Sequence, residues 1–199
     1  MNEVNKKSEA AIAYSGKVTL NLKRGSRILS TKQYHNQGLP PLFRGLRDIF
    51  RGNVEAIGTT IPHSVALYSF DNDDFANSYS PNISWSDLCD RDKLGEHLLR
   101  ITPYIPLASS EPREAVDEGT LGLQFKVDYS QITSGKKVYM LALFPRNRET
   151  GGESDAIAVY KLTTTTSNGE QEWDPQTINI SSTLLIDWQI SFMNQGGSN

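Results

Sequence analysis

The sequence predicts a mostly β protein, an antiparallel β-sandwich of jelly-roll-like or flattened-barrel form, with one amphipathic helix inserted. Three stretches carry that expectation. Val18, Leu20 and Leu22 alternate with Lys17, Thr19, Asn21 and Lys23; Leu121, Leu123, Phe125, Val127 and Tyr129 alternate with polar residues; Leu184, Ile186, Trp188, Ile190 and Phe192 do the same. Successive side chains of a strand point to opposite faces, so strict alternation marks one buried and one wet face. A length of 199 residues suits a single core. One domain is therefore expected over residues 16–199, behind a polar, flexible arm at residues 1–15.

The elements follow in order. After the Lys17 strand, Arg24-Gly25-Ser26 supplies a turn and residues 27–34 return as a hairpin partner whose outer face is basic. Leu42, Phe43, Leu46, Ile49 and Phe50 recur at helical spacing and predict a helix over about 39–51. Pro40 and Pro41 suit its first turn and Gly52 its stop. Residues 64–70 read as a strand and Asp71 to Pro81 as loop. Residues 85–100 hold leucines that could line a short helix, and the stretch from Ile101, broken by Pro103 and Pro106, reads as an edge strand. Lys137 to Phe144 is apolar on both faces, as a central strand requires, and Ala156 to Leu162 follows it.

The charge is divided. Residues 1–52 hold 10 Lys and Arg against 3 Asp and Glu, a net of +7, and residues 53–199 hold 10 against 20, a net of −10. Such a chain can bind a polyanion, or the front of one copy can meet the back of another. Lys23, Arg24, Arg27, Arg44, Arg47 and Arg51, with Lys32, are the candidate interface. Aromatic residues among them are few, with Tyr34 the one candidate for stacking, which disfavours nucleic acid and favours an acidic protein surface. No apolar run reaches the length of a membrane span, and the polar start from Met1 lacks the apolar core of a secretory signal, so folding in the cytoplasm is expected.

Catalytic signatures are absent. His35, His63 and His97 stand far apart, and no G-x-S-x-G, P-loop or G-x-G-x-x-G pattern occurs. The lone Cys89, beside Asp87, Asp90 and Asp92, is expected to be structural, because neighbouring carboxylates disfavour a thiolate. The expectation is a protein without catalytic residues and without cofactor. Two other chemistries are open. Asp71 to Asp74 could offer oxygens to a cation, although the glycine of a calcium loop is missing. Trp85 and Trp173, with Tyr79 and Tyr104, could stack on sugar rings as in a carbohydrate-binding module, or plug the ends of the sandwich, while Trp188 belongs to the core by its alternation.

The opening hairpin, the run His35-Asn36-Gln37-Gly38 leading into Leu42-Phe43-Arg44-Gly45-Leu46 and Gly52, and the closing Ile186-Asp187-Trp188-Gln189-Ile190-Ser191-Phe192 together resemble small virion structural proteins of tailed bacteriophages. The resemblance covers the two ends of the chain. It implies a β-rich accessory component of the particle, head-associated or in the collar or tail, made in the host cytoplasm, whose partners are its own copies and other virion proteins.

Overall fold

The computed structural model describes residues 11–69, 79–91, 98–103, 120–128, 130, 137–145, 155–179 and 181–195. The chain is mostly β, with antiparallel ladders throughout. Strand β1 (Ala11–Arg24) turns at Gly25 into β2 (Arg27–Gly38). Gly25 has φ +58, a left-handed conformation that glycine adopts without the steric cost of a Cβ. The other edge of β1 pairs along its length with the closing strand β11 (Thr183–Gln195), from Ala11↔Gln195 to Lys23↔Thr183, and β11 pairs with β5 (Thr120–Asp128).

A second layer is built on β6 (Lys137–Pro145), which pairs with β3 (Pro62–Ser69); β3 in turn pairs with β4 (Leu98–Pro103). On its other edge β6 holds β7 (Ala158–Lys161) and then β10 (Gln176–Thr177). Between these two, the chain leaves the layer as a separate two-stranded hairpin of β8 (Thr163–Thr165) and β9 (Gln171–Trp173). The layers join at β2. Its first part pairs with β1, while Gln37 and Gly38 pair with Val159 and Ala158 of β7. The strand path runs β4-β3-β6-β7-β2-β1-β11-β5. It is a sandwich-like sheet folded at β2, and among the described residues no ladder joins β4 to β5 to close a barrel.

Alternation decides the core. Val18, Leu20 and Leu22 of β1, Phe125 and Val127 of β5, and Leu184, Ile186, Trp188 and Ile190 of β11 face Val65, Leu67, Leu141 and Leu143 in one buried cluster. Fully burying a side chain of this size contributes about 1.5–3 kcal/mol. A second cluster lies on the outer side of the β3–β6–β7 layer, where Ala66, Tyr68, Met140, Ala142, Phe144 and Val159 meet Leu39 and the helix α3 (Trp85–Arg91) through Trp85 and Leu88. Strands β3 and β6 are thus covered on both faces, which is why their sequences read as continuous apolar runs.

Helix α1 (Pro40–Phe50) starts with Pro40 and Pro41 in its first turn and stops at Gly52, φ +86, whose amide donates to the Ile49 carbonyl at 2.9 Å while Asn53 donates to Asp48 at 3.0 Å. It packs on α2 (Ala56–Thr60) at Gly45, above the buried Thr60. In α3, Ser84 and Asp87 cap each other: the Asp87 amide donates to Ser84 Oγ at 3.0 Å and Ser84 Oγ donates to the Asp87 carboxylate at 2.7 Å.

The structure corrects several expectations. Residues 11–15 belong to β1, because Ser191 to Gln195 of β11 supply the pairing partner; residues 1–10 lie outside the described residues, as do Asp71 to Asp74, Asp92, His97, Tyr104 and Tyr129. The apolar stripe of α1 is narrower than its spacing implies. Leu42 is buried and Leu46 half-buried, but Phe43 stands 46% exposed.

Candidate functional site

The candidate interface residues fall into two groups. Lys23, Arg24 and Arg27 surround the β1–β2 turn, whereas Arg44, Arg47 and Arg51 lie on or beside α1, at the far end of β2. At ~3.3 Å per residue, a strand of this length separates them by up to about 36 Å, so no single patch collects all six. Arg24, Arg27, Arg44, Arg47 and Arg51 are exposed. Lys32 belongs to neither group. It is opposite the buried Leu20, so it points inward at the β2 edge, and its ammonium pairs with Asp174 at 2.6 Å. The outer face of β2 is therefore less basic than the sequence suggests.

The α1 group has apolar company. Besides Phe43, the helix pair and its flanks expose Val54 at 73%, Ile57 at 41% and Ile61 at 50%. Val54 and Ile61 lie just outside α2, and Ile57 and Ile61 are four residues apart and so share a side. Large apolar side chains left in water beside arginines make a surface suited to a protein partner, since arginine and aromatic residues are enriched at such interfaces. The sequence signal for this face was available in Val54, Ile57 and Ile61, which match neither a strand nor a buried helix.

The β8–β9 hairpin carries the opposite charge. Glu170 and Glu172 are exposed on it, and its base is held by Trp173, whose ring edge meets Tyr139 at 5.9 Å and whose Nε1 donates to the Tyr79 carbonyl at 2.8 Å.

These contacts also settle the place of the sugar-stacking candidates. Trp85 is only 7% exposed, with its ring centroid 5.8 Å from that of Tyr68 in a T-shaped pair, so its own fold covers it. Trp173 and Tyr79 are half-buried and pack against the outer cluster. The large side chains of this region serve as plugs between α3, the hairpin and the sheet, and Trp188 lies in the core. Cys89 packs against the same outer cluster. Among the described residues no group of three or more His, Cys, Asp or Glu is placed to hold a metal ion, and no helix is long and apolar enough to cross a membrane.

A recess of about 270 Å³ lies at the seam between β2 and β7. His35, Pro81, Asn82, Val159, Lys161, Thr163 and Gln171 line it, with Tyr160. Lys161 shares the outer side of β7 with Val159, and its ammonium donates to the Pro81 carbonyl at 2.9 Å and to the Ile83 carbonyl. Burial lowers its pKa below the ordinary lysine value. The sequence hides this residue, which looks like the polar end of an apolar strand. On the inner side of the same strand Tyr160 stacks on Tyr34, and both hydroxyls are pushed well above the usual tyrosine range, first by burial. No family model, no curated protein and no solved structure matches the chain.

Proposed function

We propose that the chain is a non-enzymatic structural protein of a bacteriophage particle, head-associated or in the collar or tail, that acts by joining its own copies and other virion proteins. The observation that carries this reading is the exposed apolar face of α1 and α2, with Phe43, Val54, Ile57 and Ile61 beside Arg44, Arg47 and Arg51. The occupant is a second copy of the chain. Its acidic hairpin, with Glu170 and Glu172, offers the complementary charge at a different place on the surface. An interface between two different patches is head-to-tail, and repetition of it gives a ring or a lattice. The resemblance of the chain ends to virion proteins supports the same reading. A sugar-binding role loses its motivation with the burial of Trp85.

Light scattering and native mass spectrometry across protein concentration test this. Association that weakens with salt, is lost in Phe43→Ser/Ile57→Ser and is reduced in Glu170→Lys/Glu172→Lys is the expected result. A chain that stays monomeric at high concentration and is missing from purified particles overturns it.

A further inference from the structure

We propose that the recess at the β2–β7 seam is a binding site for a small oxyanion, a phosphate or the carboxylate of a small acid, with Lys161 as its anchor. The charge on Lys161 is unbalanced. Lys161 is half-buried, and the groups that hold it are two carbonyl oxygens, Pro81 O and Ile83 O, which carry partial charge only. None of the ion pairs among the described residues includes it. An ammonium has three donors, so one is left after those two bonds. A cation withdrawn from water without a counter-charge is costly, and an anion beside it removes that cost.

The rest of the lining suits the same ligand. His35, Asn82, Thr163 and Gln171 all carry a hydrogen-bond donor, and no carboxylate is among the lining residues to repel an anion. The residues come from three separate elements: β2, the segment before α3, and the β7–β9 region. Volume limits the ligand. Drug-sized ligands occupy sites of roughly 300–1,000 Å³, and the recess holds about 270 Å³. A recess of this size has room for a phosphate or a short carboxylic acid together with waters.

The test is a ¹H–¹⁵N titration of the full chain, at a concentration where it is monodisperse, with sodium phosphate and separately with sodium acetate, against sodium chloride of equal ionic strength. Saturable shifts centred on Asn82, Ile83, Lys161, Thr163 and Gln171 are expected with one or both anions, and the pair identifies which oxyanion is preferred. Lys161→Gln is expected to weaken binding at least tenfold. Because that change also releases the 81–83 segment, His35→Ala and Gln171→Ala, both at exposed positions, provide variants that keep the fold and weaken binding several-fold. Shifts that rise linearly with every salt, that centre on Arg44 and Arg47 instead, or that persist unchanged in all three variants overturn the proposal.

Discussion

Tyr34 of β2 and Tyr160 of β7 meet with ring centroids 4.6 Å apart and planes inclined by 31°, at the place where one strand passes between the two layers. Their hydroxyls are raised above the ordinary tyrosine pKa of about 10: in both by burial first, then in Tyr34 by Asp174 and in Tyr160 by Tyr34. A folded-state pKa above the unfolded one means that this contribution to stability is whole below pH about 10 and is lost as pH rises through the folded values. Lys161 works in the opposite sense, since burial penalises its charged form and deprotonation removes the penalty. Thermal melts should therefore hold level, as far as this pair is concerned, up to pH about 9 and fall above about 10. The Tyr34 hydroxyl is buried without a hydrogen-bond partner, so Tyr34→Phe should change stability at pH 7 by less than about 1 kcal/mol and flatten the alkaline fall. An unchanged fall in that variant would remove the pair as its source.

Gly45 gives a sharper case, because helix propensity and packing disagree there. Alanine in a helix is favoured over glycine by about 1 kcal/mol. A Cβ at this position, however, would come 2.8 Å from Thr60 Cβ and 2.9 Å from its Cγ2. Gly45→Ala should destabilise by about 1–3 kcal/mol, as overpacking does. Thr60→Ala removes Oγ1 and Cγ2 but keeps Cβ at 2.8 Å, and the Thr60 hydroxyl makes no hydrogen bond, so the double variant should recover part of the loss, with the rest taken up by a small shift of α1 on α2. Denaturant melts of the two single variants and the double variant measure the coupling directly.

How much of this was legible depends on the range of the interactions. The alternation at Val18, Leu123 and Leu184 is local, so the faces of β1, β5 and β11 could be read from the chain, and so could the two-faced burial of β6. Gly25 and Gly52 marked their stops because a positive φ favours glycine. Pairing between distant segments was not local. Ala11 to Ser15 become strand only because Ser191 to Gln195 lie beside them, and nothing near residue 11 announces it. Lys32 reads as solvent-facing until Asp174 arrives from a different element. Trp85 sits in a polar neighbourhood, and only α3 lying on Tyr68 buries it. At the candidate surface the same limit appears: residue spacing placed Phe43 in the core-facing stripe, whereas in α1 it is 46% exposed.

On the outer face of the β1–β11–β5 layer a polar ladder crosses four strands. Thr31 Oγ1 donates to Asn21 Oδ1 at 2.8 Å, Asn21 Nδ2 donates to Asp187 Oδ2 at 3.2 Å, and Gln124 Nε2 donates to Asp187 Oδ1 at 2.7 Å. The carboxylate is the hub. Hydrogen bonds to charged groups contribute about 1.5–3 kcal/mol where water is excluded, and this site is only partly buried. Asp187→Ala should therefore cost about 1–2 kcal/mol, and Gln124→Ala in that background should add little, because its partner is already gone. Full additivity in urea melts would mean that the ladder does not act as a unit.

Trp85 separates the two uses of an aromatic residue. A side chain that binds sugar can be truncated with little effect on the fold, whereas a plug cannot. Trp85 is held between α3 and the β3–β6 layer, edge-on to Tyr68. Trp85→Ala should cost about 3–5 kcal/mol, the range for deleting a buried tryptophan, and should expose amides of residues 85–91 to hydrogen exchange. Trp173→Phe keeps a ring against Tyr139 and loses the Nε1 bond to the Tyr79 carbonyl, which should cost about 1 kcal/mol. Melting curves and exchange rates of the two variants decide the matter. A Trp85→Ala protein as stable as the parent would show that this ring does not hold α3 on the sheet, and would reopen the surface role.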